Sequence, residues 1–183
     1  ANLRVNFDKS EFFLTTLDNI KWLGSIIRNN KLHPDPEKVK AISAMTAPTT
    51  KLGMQRFLGS VSFIRRHLKG IGDIMAPLYK LCATPNRTIV CTGDDLKAFE
   101  LAKKAVTSAE ALKLPDLNKP FIVTTDASST GCGGVLSQLD DDDIETPVAY
   151  CSKVFNSLEL KQSGCDFLKE KNRIYNKVSE PVK

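Results

Sequence analysis

Nothing in the sequence approaches the roughly 18 consecutive apolar residues that a membrane-spanning helix needs, so no transmembrane segment is expected. The first residues, Ala1-Asn2-Leu3-Arg4-Val5, lack the continuous apolar stretch and small-residue cleavage site of a secretory signal. That predicts an intracellular chain, cytoplasmic or nuclear and not secreted, and makes the glycosylation sequon Asn86-Arg87-Thr88 idle. The cysteines Cys82, Cys91, Cys132, Cys151 and Cys165 are odd in number and scattered, and none forms a CxxC pair. The two histidines, His33 and His67, lie near none of them in sequence, which argues against both a disulfide framework and a zinc site.

What is present suffices for a packed core. The chain has 183 residues, 42% of them hydrophobic, enough for one domain or two small ones. The net charge is only +5, but it is unevenly spread. Residues 31–81 carry nine Lys/Arg against three acids, a balance of +6, so the rest of the chain sums to −1. A basic segment beside a neutral one fits a polyanion-binding face, and also an ordinary solvated surface.

Apolar residues cluster at 3–7 and 11–15, and Ile-Lys-Trp-Leu-Gly-Ser-Ile-Ile at 20–27 is β-branched and aromatic. These predict strands, with Gly24 marking a bulge or a close backbone approach. Asp35-Pro36-Glu37 starts a helix, with Asp35 as cap and Pro36 at the first position, and Pro48 stops it. Thr49 or Thr50 caps a second helix to about Leu68, on which Leu58, Val61, Ile64 and Leu68 recur at helical spacing. A short third helix is expected over 74–81, and a fourth, capped by Asp94 or Asp95, runs to about Ser108. Short strands follow at 121–125, 135–138 and 148–152, separated by the acidic loop 140–145, and residues 157–178 read as helical. A helical middle followed by a β-rich third section predicts an α+β fold.

The second helix carries the first chemical signal. Gln55, Gly59, Ser62 and Arg66 fall at i, i+4, i+7 and i+11, on one stripe flanked by Phe63. A mid-helix glycine costs about 1 kcal/mol relative to alanine, so it needs a compensating close approach. Two surfaces qualify: the shallow minor groove of a nucleic-acid duplex, or a neighbouring helix packed at Gly59. Asp126, at the end of an apolar strand, is either a metal-binding carboxylate or a turn former bonded to its own backbone.

Lys21-Trp22-Leu23-Gly24, Leu32-His33-Pro34-Asp35-Pro36-Glu37-Lys38-Val39, Phe57-Leu58-Gly59, Phe63-Ile64-Arg65-Arg66 and Ala76-Pro77-Leu78 resemble, in order and spacing, reverse transcriptases of gypsy-like LTR retrotransposons and gammaretroviruses. Leu114-Pro115-Asp116, Lys119-Pro120-Phe121, Thr125-Asp126-Ala127-Ser128, Gly134-Val135-Leu136-Ser137-Gln138 and Pro147-Val148-Ala149-Tyr150 continue the resemblance, which covers about residues 1–160. It implies the hairpin end of a palm over 1–30, a helical thumb over 31–82, a linker and helix over 83–118, and a partial RNase H-like mixed sheet over 119–183. By the same resemblance Trp22, Leu23 and Gly24 form the primer grip. Gln55, Gly59 and Phe63 track the template–primer minor groove. Lys51, Arg56, Arg65 and Arg66 supply phosphate contacts. Asp126 is the RNase H catalytic carboxylate that binds Mg²⁺, and Asp166 or Glu170 occupies the place of the second.

The expected partners are an RNA–DNA hybrid or DNA duplex and the remainder of a parent polyprotein, with no membrane. The adjacent catalytic Asp pair of the polymerase is absent. Asp94-Asp95 reads as a helix cap and the run Asp140–Asp143 as a solvated turn. The expectation is a retroelement reverse transcriptase fragment that grips duplex and is inactive alone. The alternative is a non-enzymatic nucleic-acid-binding module domesticated from such an element.

Overall fold

The computed structural model describes residues 5–7, 10, 12, 19–128 and 131–155. The strand expected at 3–7 does not form over its described part: residues 5–7 carry no strand, and Phe7 is in a 3-10 turn. The strand expected at 11–15, of which residue 12 alone is described, the helix expected over 157–178, and the carboxylates Asp166 and Glu170 lie wholly or largely outside the described residues.

The predicted strand at 20–27 is a hairpin. β1 (Ile20–Trp22) pairs antiparallel with β2 (Ser25–Arg28) across Leu23 and Gly24, whose φ angles of 46° and 78° are those of a tight hairpin turn. Asn29 and Asn30, at φ 51° and 55°, make an equivalent turn into β3 (Lys31–Pro34). Asparagine is among the few residues that accept this backbone region. α1 (Pro36–Ser43) starts as expected, with the Asp35 carboxylate accepting from the Glu37 N–H at 2.9 Å.

α2 spans Lys51–Phe63 and is capped by Thr50, whose hydroxyl accepts from the Gly53 N–H. It stops five residues before the expected end. The chain tightens into a 3-10 turn at Arg65–His67, and Gly70, at φ 65°, redirects it into α3 (Ile71–Ala83). α3 starts three residues earlier than predicted, and Pro77 sits within it. α4 (Gly93–Thr107) is capped by Thr92 rather than by either aspartate. The Asp95 carboxylate instead reaches back to the Thr92 N–H at 2.8 Å and hydroxyl at 2.6 Å, a capping box.

α1–α4 bury one core. Met54, Phe57, Leu58 and Val61 of α2 meet Met75 and Leu78 of α3 and Phe99, Ala102 and Val106 of α4. The Phe57 and Phe99 rings pack tilted, with centroids 4.4 Å apart. Residues 83–118 are therefore no spacer. α4 completes the helical core, and β4 (Leu112–Lys113) returns to pair with β3, closing a sheet in the order β1-β2-β3-β4.

The second sheet is β5 (Ile122–Ala127), β6 (Gly131–Leu139) and β7 (Glu145–Val154), antiparallel in that order. Buried Gln138 fixes its entry. Its side-chain amide nitrogen donates to the carbonyls of Asp116 and Lys119, and its side-chain oxygen accepts from the Asp116 N–H, pinning the loop before β5 to β6. Asp140–Asp143 is a turn between β6 and β7, exposed throughout apart from the half-buried Asp140. Among the described residues, no helix is long and apolar enough to cross a membrane.

Candidate nucleic-acid interface

α2 divides its residues between two faces. Met54, Phe57 and Val61 are fully buried, whereas Gln55, Arg56, Gly59, Phe63 at its end and Arg66 just beyond are exposed. A Cβ built on Gly59 meets nothing within 4 Å, so helix packing does not explain this glycine. Its side of α2 forms a groove of about 430 Å³ with Lys38, Ala41, Ile42 and Met45 of α1 and its C-terminal exit. The floor is apolar and the rims are cationic. Lys38 Nζ stands 5.9 Å from the Phe63 ring centroid, a contact the sequence reading did not foresee.

Phe63 ties this groove to the β1–β2 turn. Its ring lies over Gly24, where any Cβ would collide with it. Trp22 and Leu23 remain exposed beside that contact. The Asp35 N–H donates to the Gly24 carbonyl at 3.4 Å, and Lys21 pairs with Glu37 at 3.0 Å, so the hairpin is fastened to the start of α1.

The four cations named as phosphate contacts do not stand alike. Arg56 and Arg66 are exposed. Lys51 donates to the Thr84 carbonyl at 2.8 Å, and the Arg65 guanidinium donates to the Ser152 carbonyl on β7. Both of those heads make bonds within the chain.

Beneath the 3-10 turn, His67 is buried between three segments. A carbonyl only accepts, so Nδ1–H donates to Glu110 at 3.3 Å, and the Ser25 hydroxyl donates to the remaining lone pair on Nε2 at 3.2 Å. Burial, with Arg66 and His33 nearby, outweighs the Glu110 bond and lowers the His67 pKa to about 4.

Asp126 lies near the end of β5 with its side chain exposed. Its Oδ1 accepts from the Ala127 N–H at 2.8 Å, the local bond a turn-forming aspartate also makes. Across the strand pair stands Gly133, so the space beside the carboxylate is open. Among the described residues, no group of three or more His, Cys, Asp or Glu is disposed to hold a metal ion.

Residues 92–167 match the family model described as the RNase H-like domain found in reverse transcriptase. The chain is 36% identical over 169 residues to the retrovirus-related Pol polyprotein of transposon opus from Drosophila melanogaster, covering 87% of this chain. It belongs to the reverse transcriptase/RNase H family of retroelement Pol proteins. The Gag-Pol polyprotein of woolly monkey sarcoma virus is 34% identical over 134 residues, 73% of this chain. The chain spans 16% of the opus polyprotein and 8% of the viral one.

Among solved structures, the foamy viral protease-reverse transcriptase dRH in complex with double-stranded DNA matches at a TM-score of 0.65 and 27% identity, covering 78% of this chain and 25% of that one. The foamy viral protease-reverse transcriptase in complex with an RNA/DNA hybrid matches at a TM-score of 0.68 and 25% identity, covering 87% of this chain and 22% of that one. β5–β7 form the RNase H-like sheet of this family. Reverse transcriptases of this kind use divalent metal ions. Of the carboxylates named for that role, Asp126 is the one among the described residues.

Proposed function

We propose that this segment grips a template–primer or RNA–DNA hybrid duplex along the outer face of α2, as part of an RNA-directed DNA polymerase with ribonuclease H activity. The observation that carries the proposal is Gly59. It is a helix-interior glycine with open space above it, in a groove with an apolar floor and basic rims. A duplex minor groove offers shallow sugar and base edges between two phosphate rows, and it needs a partner with no side chain at the point of closest approach. Lys38, Arg56 and Arg66 suit the flanking phosphates. Trp22, Leu23 and Gly24 hold the primer end where Phe63 fixes their turn.

The likeness to foamy viral enzymes solved with double-stranded DNA and with an RNA/DNA hybrid supports the same reading. Asp126 supplies one carboxylate for Mg²⁺ in the parent enzyme, with Asp166 or Glu170 as the second. A single carboxylate does not hold a pair of ions, so no cleavage step is assigned to the described residues.

The test is filter binding and cleavage of a labelled RNA–DNA hybrid with Mg²⁺ across a salt series. Salt-sensitive binding without cleavage is expected. Failure to bind at low salt removes the thumb assignment, and cleavage refutes the carboxylate reading.

A further inference from the structure

Asp126 pairs with Gly133 across β5 and β6, and Gly133 pairs with Ser152 across β6 and β7. Cross-strand partners share a face, so the three form one row on one side of the sheet. The thumb is fastened to this row. The Gly72 N–H donates to Ser152 Oγ at 3.2 Å, and the Arg65 guanidinium donates to the Ser152 carbonyl. The contact is close: a Cβ on Gly72 would lie 3.1 Å from that of Ser152. The turn carrying Lys69 and Gly70 is thereby held beside the sheet. Between them remains a cavity of about 310 Å³, walled by Thr124 and Asp126 on one side and by Lys69, Gly70 and Asp73 on the other.

We propose that this cavity is a composite site, in which thumb residue Lys69 binds a phosphodiester of the strand that passes Asp126. The inference rests on the duplex-binding reading above and adds a contact to it. Asp126 and Asp73 repel a polyanion, and a neighbouring cation offsets that repulsion for a nucleic-acid backbone. Among the described residues that line the cavity, Lys69 is that cation. Its ammonium is exposed and engaged in no hydrogen bond or ion pair with a described residue. A lysine acts on phosphate as a mobile point charge, without the fixed fork an arginine requires. Gly133 leaves the room: a Cβ there would meet only the Cys151 carbonyl, at 3.7 Å. Ser152 fixes the distance between the two walls.

The experiment measures equilibrium binding of the full chain to a labelled RNA–DNA hybrid over a salt series. Lys69→Gln and Lys69→Arg are made alone and with Gly133→Val, which fills the cavity (Gly133→Thr is the second filler if the valine variant does not fold). Lys69→Gln is expected to weaken binding several-fold and to lower the slope of log K against log[salt] by about 0.9. Lys69→Arg retains most of both. In the filled background Lys69→Gln has no further effect. Unchanged affinity and slope for Lys69→Gln, while Arg56→Gln reduces both, overturns this inference and leaves the duplex grip standing. An equal loss with the cavity filled places the Lys69 contact elsewhere and also overturns it. Absence of hybrid binding by the wild-type chain removes both readings.

Discussion

The ring of Phe63 lies over Gly24, in the space a side chain on Gly24 would take. Phe63 ends α2 and Gly24 closes the β1–β2 hairpin, so this contact sets where the hairpin stands relative to the groove beside Gly59. Gly24 also has φ 78°, a region that costs an L-residue about 1–2 kcal/mol.

Gly24→Ala is therefore expected to destabilise the chain by about 2 kcal/mol or more, from backbone strain and the ring collision together. Phe63→Ala in the same chain removes the collision and leaves the strain. Urea unfolding of the two single variants and the double variant checks this. The double variant should be more stable than the sum of the single losses predicts, and strict additivity would mean that the ring and the turn do not meet.

His67 gives the fold a pH dependence with a definite sign. Its pKa is about 4 in the folded chain against 6.5 for the free side chain, so the unfolded chain takes up the proton first. The contribution is complete above pH 6.5 and is lost as the pH falls towards 4, by up to about 3 kcal/mol. Stability measured by urea titration from pH 7 to 4 should fall more steeply in the wild type than in His67→Gln. Parallel curves would show that His67 is not held neutral between Ser25 and Glu110.

The basic residues divide into two groups. Arg56→Gln and Arg66→Gln should each lower the salt slope of duplex binding by about 0.9. Lys51→Gln and Arg65→Gln, which lose bonds to Thr84 and Ser152, should act on unfolding instead and change the slope less. Titrations at several salt concentrations, paired with thermal melts, separate the groups. Equal slope changes for all four would mean that the internal bonds open on binding.

Much of this was legible in the sequence because the informative signals are local. Asp35-Pro36-Glu37 announced its helix, and the 3.6-residue recurrence on α2 identified the buried face. The Gln55–Gly59 stripe was visible, but its two readings were not separable. A glycine facing open space and one facing a neighbouring helix have the same spacing, and the two differ only in what the folded chain brings beside them. The relations missed are long-range. Nothing near Arg65 in sequence points to Ser152, nor near Gly24 to Phe63. β4 is only two residues long and exists because β3 offers it an edge. The cap of α4 was misplaced because two aspartates follow Thr92 and either could have served. Thr92 has the extended backbone of a cap, and Asp95 is three residues on, where a capping box puts its acid.

One substitution probes the open face of α2 without disturbing the core. Gly59→Leu adds a side chain into empty space and improves helix propensity, so stability should hold or rise by up to about 1 kcal/mol. Affinity for a labelled RNA–DNA hybrid at low salt should fall at least tenfold in the same variant. A folded Gly59→Leu chain that binds the hybrid as tightly as the wild type would contradict a duplex lying against this helix.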